Sequence, residues 1–144
     1  MIIRKANLKD IKEIAKLMLD EFKRPPFNER ASLNSVLKSL NFYFKIGKIY
    51  VAVIEKEITG VVVFKIEQYW EGPVIIIEDL AVKERYKKQG LGKLLMNKVE
   101  DYADKNKIKG IYFKTNKKSP AVKFYQKHGY KIRKDIVFME KKFR

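Results

Sequence analysis

Residues 78–95 read Glu78-Asp79-Leu80-Ala81-Val82-Lys83-Glu84-Arg85-Tyr86-Lys87-Lys88-Gln89-Gly90-Leu91-Gly92-Lys93-Leu94-Leu95: the end of an apolar strand, a basic linker, and two glycines that open a helix. The first N–H groups of a helix have no intrahelical partner and carry the positive end of its dipole. Lys87-Lys88-Gln89-Gly90-Leu91-Gly92-Lys93 is therefore predicted to receive a phosphate or pyrophosphate. Glycine lets the backbone approach such a ligand, because a side chain at position 90 or 92 would hold it off. Two other phosphate loops are excluded. Leu95 stands where the dinucleotide fingerprint needs a third glycine, and no G-x-x-x-x-G-K-[S/T] occurs.

Leu80-Ala81-Val82 at a strand end, Tyr86 in the linker, and Lys87-Lys88-Gln89-Gly90-Leu91-Gly92 before an apolar helix resemble the signature of the GNAT superfamily of acyl-CoA-dependent N-acetyltransferases. Lys87 departs from the family's usual Gln or Arg, keeping the charge without the planar fork of Arg. A second stretch, SPAVKFYQKHGY from Ser119 to Tyr130, is similar to the family's A-x-x-F/L-Y-x-x-x-G-F/Y segment at Ala121, Phe124, Tyr125, Gly129 and Tyr130. Many members have Asn three residues before that Ala; here Lys118 stands there, with Asn116 nearby.

The resemblance implies that the glycine loop takes the pyrophosphate of acetyl-CoA and that Asn116 contacts the pantetheine arm. It also implies that backbone amides of Leu80, Ala81 and Val82 pair with pantetheine, hold the thioester carbonyl and stabilise the oxyanion. Tyr125 matches the tyrosine that protonates the leaving thiolate in many members. A phenol suits that task because it stays protonated at neutral pH on a stiff ring. Read without the family, Tyr125 is a core aromatic sharing a helical face with Ala121, Phe124 and His128. His128 itself, at a helix end, reads as structural or surface.

Glu78 and Asp79 are adjacent in a strand, and regular alternation sends their side chains to opposite faces, so only one can look into the cleft. A protonated amine must lose a proton before attack, which calls for a carboxylate. The run Ile77 to Val82 looks like the matching strand of glucosamine-6-phosphate and spermidine/spermine N-acetyltransferases, which implies this role for Glu78. Asp79 reads as an ion-pair partner of a nearby Lys or Arg.

Composition narrows the chemistry. The 144 residues, 46% hydrophobic, suit one domain spanning 1–144 with a sizeable core. No apolar run has membrane-span length and MIIRKANLKD has no signal-peptide core, so a cytoplasmic protein is expected. Cysteine is absent and His128 is the single histidine, which removes disulfides, a thiol nucleophile and Cys or His metal clusters; no metal is expected. Without a G-x-S-x-G elbow, acyl transfer is read as direct attack of an amine on the thioester. A net charge of +16 favours polyanions such as coenzyme A. The basic residues are spread along the chain with no arm or Arg block, which argues against a nucleic-acid partner.

The predicted order is β-α-α-β-β-β-α-β-α-β-β. Ile2 to Arg4 is a strand, and Asn7 with Asp10 caps a helix carrying Leu8, Ile11, Ile14, Ala15, Met18 and Phe22. Pro25-Pro26 breaks it. A helix over Ser32 to Ile46 follows, then strands Lys48 to Glu55, Gly60 to Glu67 and Val74 to Val82 with a turn near Lys56-Glu57. After the glycine-loop helix come a strand at Ile111 to Phe113, a helix from Ala121 to His128, and a closing hairpin over Tyr130 to Phe143 turning at Lys134-Asp135. This is a mixed α/β chain with a mostly antiparallel sheet flanked by helices, and the order matches the GNAT fold.

The resulting expectation is an acetyl-CoA-dependent N-acetyltransferase with Glu78 and Tyr125 as its catalytic residues. The acceptor amine is open among a small amine, a peptide or protein N-terminus and a lysine. A homodimer is left open too. The reading from a different class is a basic CoA-sensing or nucleic-acid-binding module without turnover.

Overall fold

The computed structural model describes all 144 residues as two compact units, 1–114 and 115–144. In the first, β1 (Ile2–Lys5) leads through a single 3-10 turn into α1 (Ile11–Phe22) and α2 (Leu33–Ile46). The strands β2 (Gly47–Ile54), β3 (Glu57–Tyr69) and β4 (Gly72–Val82) follow, then α3 (Leu91–Lys105) and β5 (Ile111–Tyr112). The five strands lie in chain order, antiparallel except for the β4–β5 pair.

Local chemistry sets the helix starts. The Asp10 carboxylate accepts from the Asn7 N–H at 2.7 Å in the expected capping box, and the Ser32 hydroxyl accepts from the Ser35 N–H at 3.1 Å to open α2. The helix expected from Asn7 begins as that 3-10 turn, Leu8–Asp10, before α1 proper.

β3 is longer than its hydrophobic run, Gly60 to Glu67, suggested. Glu55 and Lys56, both at positive φ, make a two-residue turn that starts β3 at Glu57. At the other end Gln68 and Tyr69 pair with Pro73 and Gly72, a polar extension that the apolar pattern could not show.

The sheet buries both faces. Val51, Val61, Val63 and Ala81 pack with Ile14, Leu17 and Leu40 of α1 and α2. Phe64, the residue after Val63, points the other way, its ring 5.5 Å from that of Tyr102 on α3. Gly60 lies under α3 as well, since a Cβ there would come to 3.0 Å from the Leu95 side chain.

The second unit contains α4 (Ala121–Lys127), which closes at Gly129 with φ +87°. Beyond it the expected hairpin is not found as strands: residues 130–144 carry no strand, only a bend at Lys134 and Asp135. Arg133 closes that bend locally through Nε and Nη2 on the Asp135 carboxylate, at 2.8 and 2.6 Å.

Candidate active site

The register of β3 against β4 decides where the carboxylates point. Val63 faces Asp79 and the next residue, Phe64, faces Ile77, so Glu78 is an extra residue in β4 with no opposite number. This is a β-bulge, and it breaks the alternation on which the opposite-face reading rested. Asp79 shares a side with Val63, the side of α1 and α2. Glu78 turns to the same side, where its Oε1 lies 3.1 Å from Lys65 Nζ. Both carboxylates therefore look out on one face.

Their environments differ. Glu78 is balanced by Lys65, whose ammonium is held above the usual lysine range by hydrogen bonds to Glu78 and Glu67. The Asp79 side chain makes neither a salt bridge nor a hydrogen bond, which corrects its reading as an ion-pair partner. Burial first, then the negative charges of Glu78 and Glu29, push its carboxyl up to about 7. Tyr43 of α2 borders the pair, its phenol raised first by burial and then by Glu78. Tyr43 and Lys65 were not found by sequence reasoning, because a site contact across three elements leaves no local motif.

Past Ile76 the edge of β4 away from β3 has no strand beside it, since β5 pairs only with Ile75 and Ile76. Leu80, Ala81 and Val82 lie on this splayed stretch. Their backbone is thus available on one side for an extended ligand to pair with.

The glycine loop follows. Lys88 at φ +64° and Gly90 at φ +84° are both left-handed, a curvature that turns successive N–H groups toward a common point. The first bond of α3 runs from the Leu94 N–H to the Gly90 carbonyl at 3.1 Å, which leaves the N–H groups of Leu91, Gly92 and Lys93 ahead of it. A Cβ at Gly90 would meet nothing within 4 Å, so the space in front of the loop is open. The residues present thus fit a pyrophosphate.

Two ionic clusters hold the loop in place. Glu57, at the β2–β3 turn, binds Lys83 and Arg85 and accepts from the Tyr86 hydroxyl at 3.1 Å. Glu21, buried at the end of α1, accepts from Lys87, and Glu84 lies 3.0 Å from the same ammonium. Burial alone would lower Lys87, but Glu21 and Glu84 outweigh it and hold it above the usual range. The charge of Lys87 is spent on α1, while its backbone stays in the loop. Gln89 reaches back to the Arg85 carbonyl at 3.4 Å.

Asn116 and Tyr125 belong to the second unit. The Asn116 side-chain carbonyl accepts from the Lys118 N–H at 2.9 Å, forming a turn before α4. Tyr125 is 9% exposed, its ring 5.3 Å from Phe124 and 6.2 Å from Tyr130. Burial pushes its phenol up to about 12, so it is protonated throughout the physiological range. His128 is structural, with Nδ1 2.8 Å from the Phe124 carbonyl oxygen.

The strand, splayed edge and glycine turn are matched by sequence: the Acetyltransferase (GNAT) family covers residues 11–130. The chain belongs to this family. GNAT proteins use acetyl-CoA, and the chain has no group of three or more His, Cys, Asp or Glu residues that could hold a metal. A stretch of 69 residues is 36% identical to streptothricin acetyltransferase A of Bacillus subtilis (strain 168), covering 47% of this chain and 39% of that relative.

Solved structures show the same fold at low identity. A possible acetyltransferase from Clostridium difficile 630 matches 99% of this chain and 98% of its own, with TM-score 0.87 and 17% identity. An aminoglycoside antibiotic 6'-N-acetyltransferase from Acinetobacter haemolyticus matches both chains over 100% of their length, with TM-score 0.81 and 16% identity. An aminoglycoside N-acetyltransferase in complex with CoA matches 99% of this GNAT chain and 95% of its own, with TM-score 0.82 and 15% identity. No helix here is long and apolar enough to cross a membrane.

Proposed function

We propose that residues 1–144 act as one cytoplasmic N-acetyltransferase domain that moves an acetyl group from acetyl-CoA to a primary amine by direct attack. The observation that carries this reading is the β4 junction, where a bulge with two carboxylates is followed by an unpaired strand edge and then by the glycine turn. Acetyl-CoA, when bound, supplies the activated acyl group. Leu80, Ala81 and Val82 hold the pantetheine and the acyl carbonyl oxygen through their backbone amides. Residues 87–93 receive the pyrophosphate through theirs, with Lys88 and Lys93 adding charge and Lys87 fixing the loop to α1.

Glu78 brings negative charge to the acceptor side of β4, attracting an ammonium group. Tyr125 serves as the acid for the departing thiolate, supported by its protonated state. For Asn116 the turn before α4 is the better supported role, since its carbonyl is already engaged. The acceptor is proposed to be a small amine. The streptothricin and aminoglycoside acetyltransferases among its relatives act on such molecules by name, and Glu78, Asp79 and Glu29 suit a cation.

The test is mass-spectrometric screening for acetylated products across small amines, peptides with free N-termini and lysine peptides, with thiol release followed in parallel. Acetylation of at least one small amine is expected. Failure to bind acetyl-CoA by calorimetry would remove the reading.

A further inference from the structure

We propose that Asp79, and not Glu78, takes the proton from the acceptor's ammonium group, and that Glu78 is the positioning residue held for that purpose by Lys65. This deepens the transferase reading and rests on it. The β4 bulge places both carboxylates on the α1 and α2 side, so either could reach an acceptor there. Glu78 has its cation, Lys65, at 3.1 Å, while Asp79 has none. A carboxylate already neutralised by an ammonium gains less from a proton than one that is mostly desolvated beside like charges.

The groups that act on Asp79 are Glu78 on β4, Glu29 in the α1–α2 segment and Tyr43 on α2, while Lys65 on β3 is engaged with Glu78. Burial first, then the charges of Glu78 and Glu29, favour the protonated form of Asp79 near neutrality, the range in which a base must both accept and release a proton. In the step, an N–H bond of the acceptor breaks as an O–H bond forms on Asp79. The freed lone pair makes the new C–N bond, and the C–S electrons leave with the thiolate, which takes the proton of the proposed acid Tyr125. The second proton that nitrogen loses as the amide forms passes to water, from which the phenol is restored. Asp79 returns its proton to water.

Thiol release from acetyl-CoA would be measured against pH with spermidine and tyramine as ammonium acceptors and with hydroxylamine, which is largely unprotonated at neutral pH. In parallel, carbon-13 spectra would follow the side-chain carboxyls. One aspartate carboxyl is expected to titrate near 7, to vanish in Asp79→Asn and to move down in Glu78→Gln. Asp79→Asn should slow transfer to the ammonium acceptors at least tenfold more than transfer to hydroxylamine, and should abolish the acid limb near pH 7. Glu78→Gln should mainly raise KM for the ammonium acceptors and keep that limb.

Equal losses on all three acceptors in folded Asp79→Asn would make the residue structural and overturn the proposal. So would a limb that survives in Asp79→Asn and disappears in Glu78→Gln. A parent protein that binds acetyl-CoA but transfers to none of the three would remove the transferase reading itself, and the proposal with it. Turnover with an unchanged Asp79→Asn limb removes only the proposal.

Discussion

Asp79 sits in a conflict between folding and chemistry that can be read as stability. Its carboxyl is raised by burial to about 7, against about 3.9 in an unfolded chain, so the native state holds its proton more tightly. The native advantage is complete at low pH and is lost as pH rises from about 4 to about 7. Asp79→Asn should therefore stabilise the protein by on the order of 2–4 kcal/mol at pH 8 and change little at pH 4, which thermal melts at both pH values would show. At Tyr125, removal of the hydroxyl leaves the packing against Phe124 and Tyr130 in place. Tyr125→Phe should keep its acetyl-CoA affinity by calorimetry and slow the chemical step by roughly ten- to a thousandfold in single-turnover thiol release. Tyr125 could be matched from sequence because its neighbours in α4 form a local pattern. The environment of Asp79 could not, since Glu29 and Tyr43 reach it from two other parts of the chain.

Elements were legible where one hydrophobic period ran unbroken. Both α1 and α2 followed from apolar spacing with capping residues, and the glycine turn followed from its motif. The bulge at Glu78 was hidden, because a bulge is a property of two paired strands and the sequence shows one at a time. The closing hairpin expected after α4 is not found as strands over residues 130–144. The glycine turn is the element most open to test. Gly90 has φ +84° with open space before it, so Gly90→Ala adds strain of about 1–2 kcal/mol and a methyl group where a phosphate would come. Acetyl-CoA affinity should fall at least tenfold by calorimetry, while circular dichroism stays native. Glu21→Gln should have a milder effect in the same assay, a severalfold loss, because it loosens Lys87 and leaves the N–H groups unblocked.

Across the whole molecule the net charge of +16 works in two directions, drawing in any polyanion while individual cations stay fixed in clusters around Glu21 and Glu57. Acetyl-CoA should bind at moderate salt, whereas nucleic acid should bind weakly and lose affinity steeply between 50 and 200 mM salt. Salt-resistant nucleic-acid binding without acetyl-CoA binding, measured by fluorescence anisotropy and calorimetry, would favour the non-enzymatic module. The chain-order arrangement of the sheet also carries a kinetic consequence. The β2–β3–β4 meander closes through two tight turns, at Glu55-Lys56 and Trp70-Glu71, whereas β1 must wait for α1 and α2 and β5 for α3. Short loops close first because they lose less chain entropy. Pulsed hydrogen exchange during refolding should find the amides of β2, β3 and β4 protected before those of β1 and β5. The hairpin that carries the reactive carboxylates would then be the folding nucleus onto which the rest of the sheet condenses.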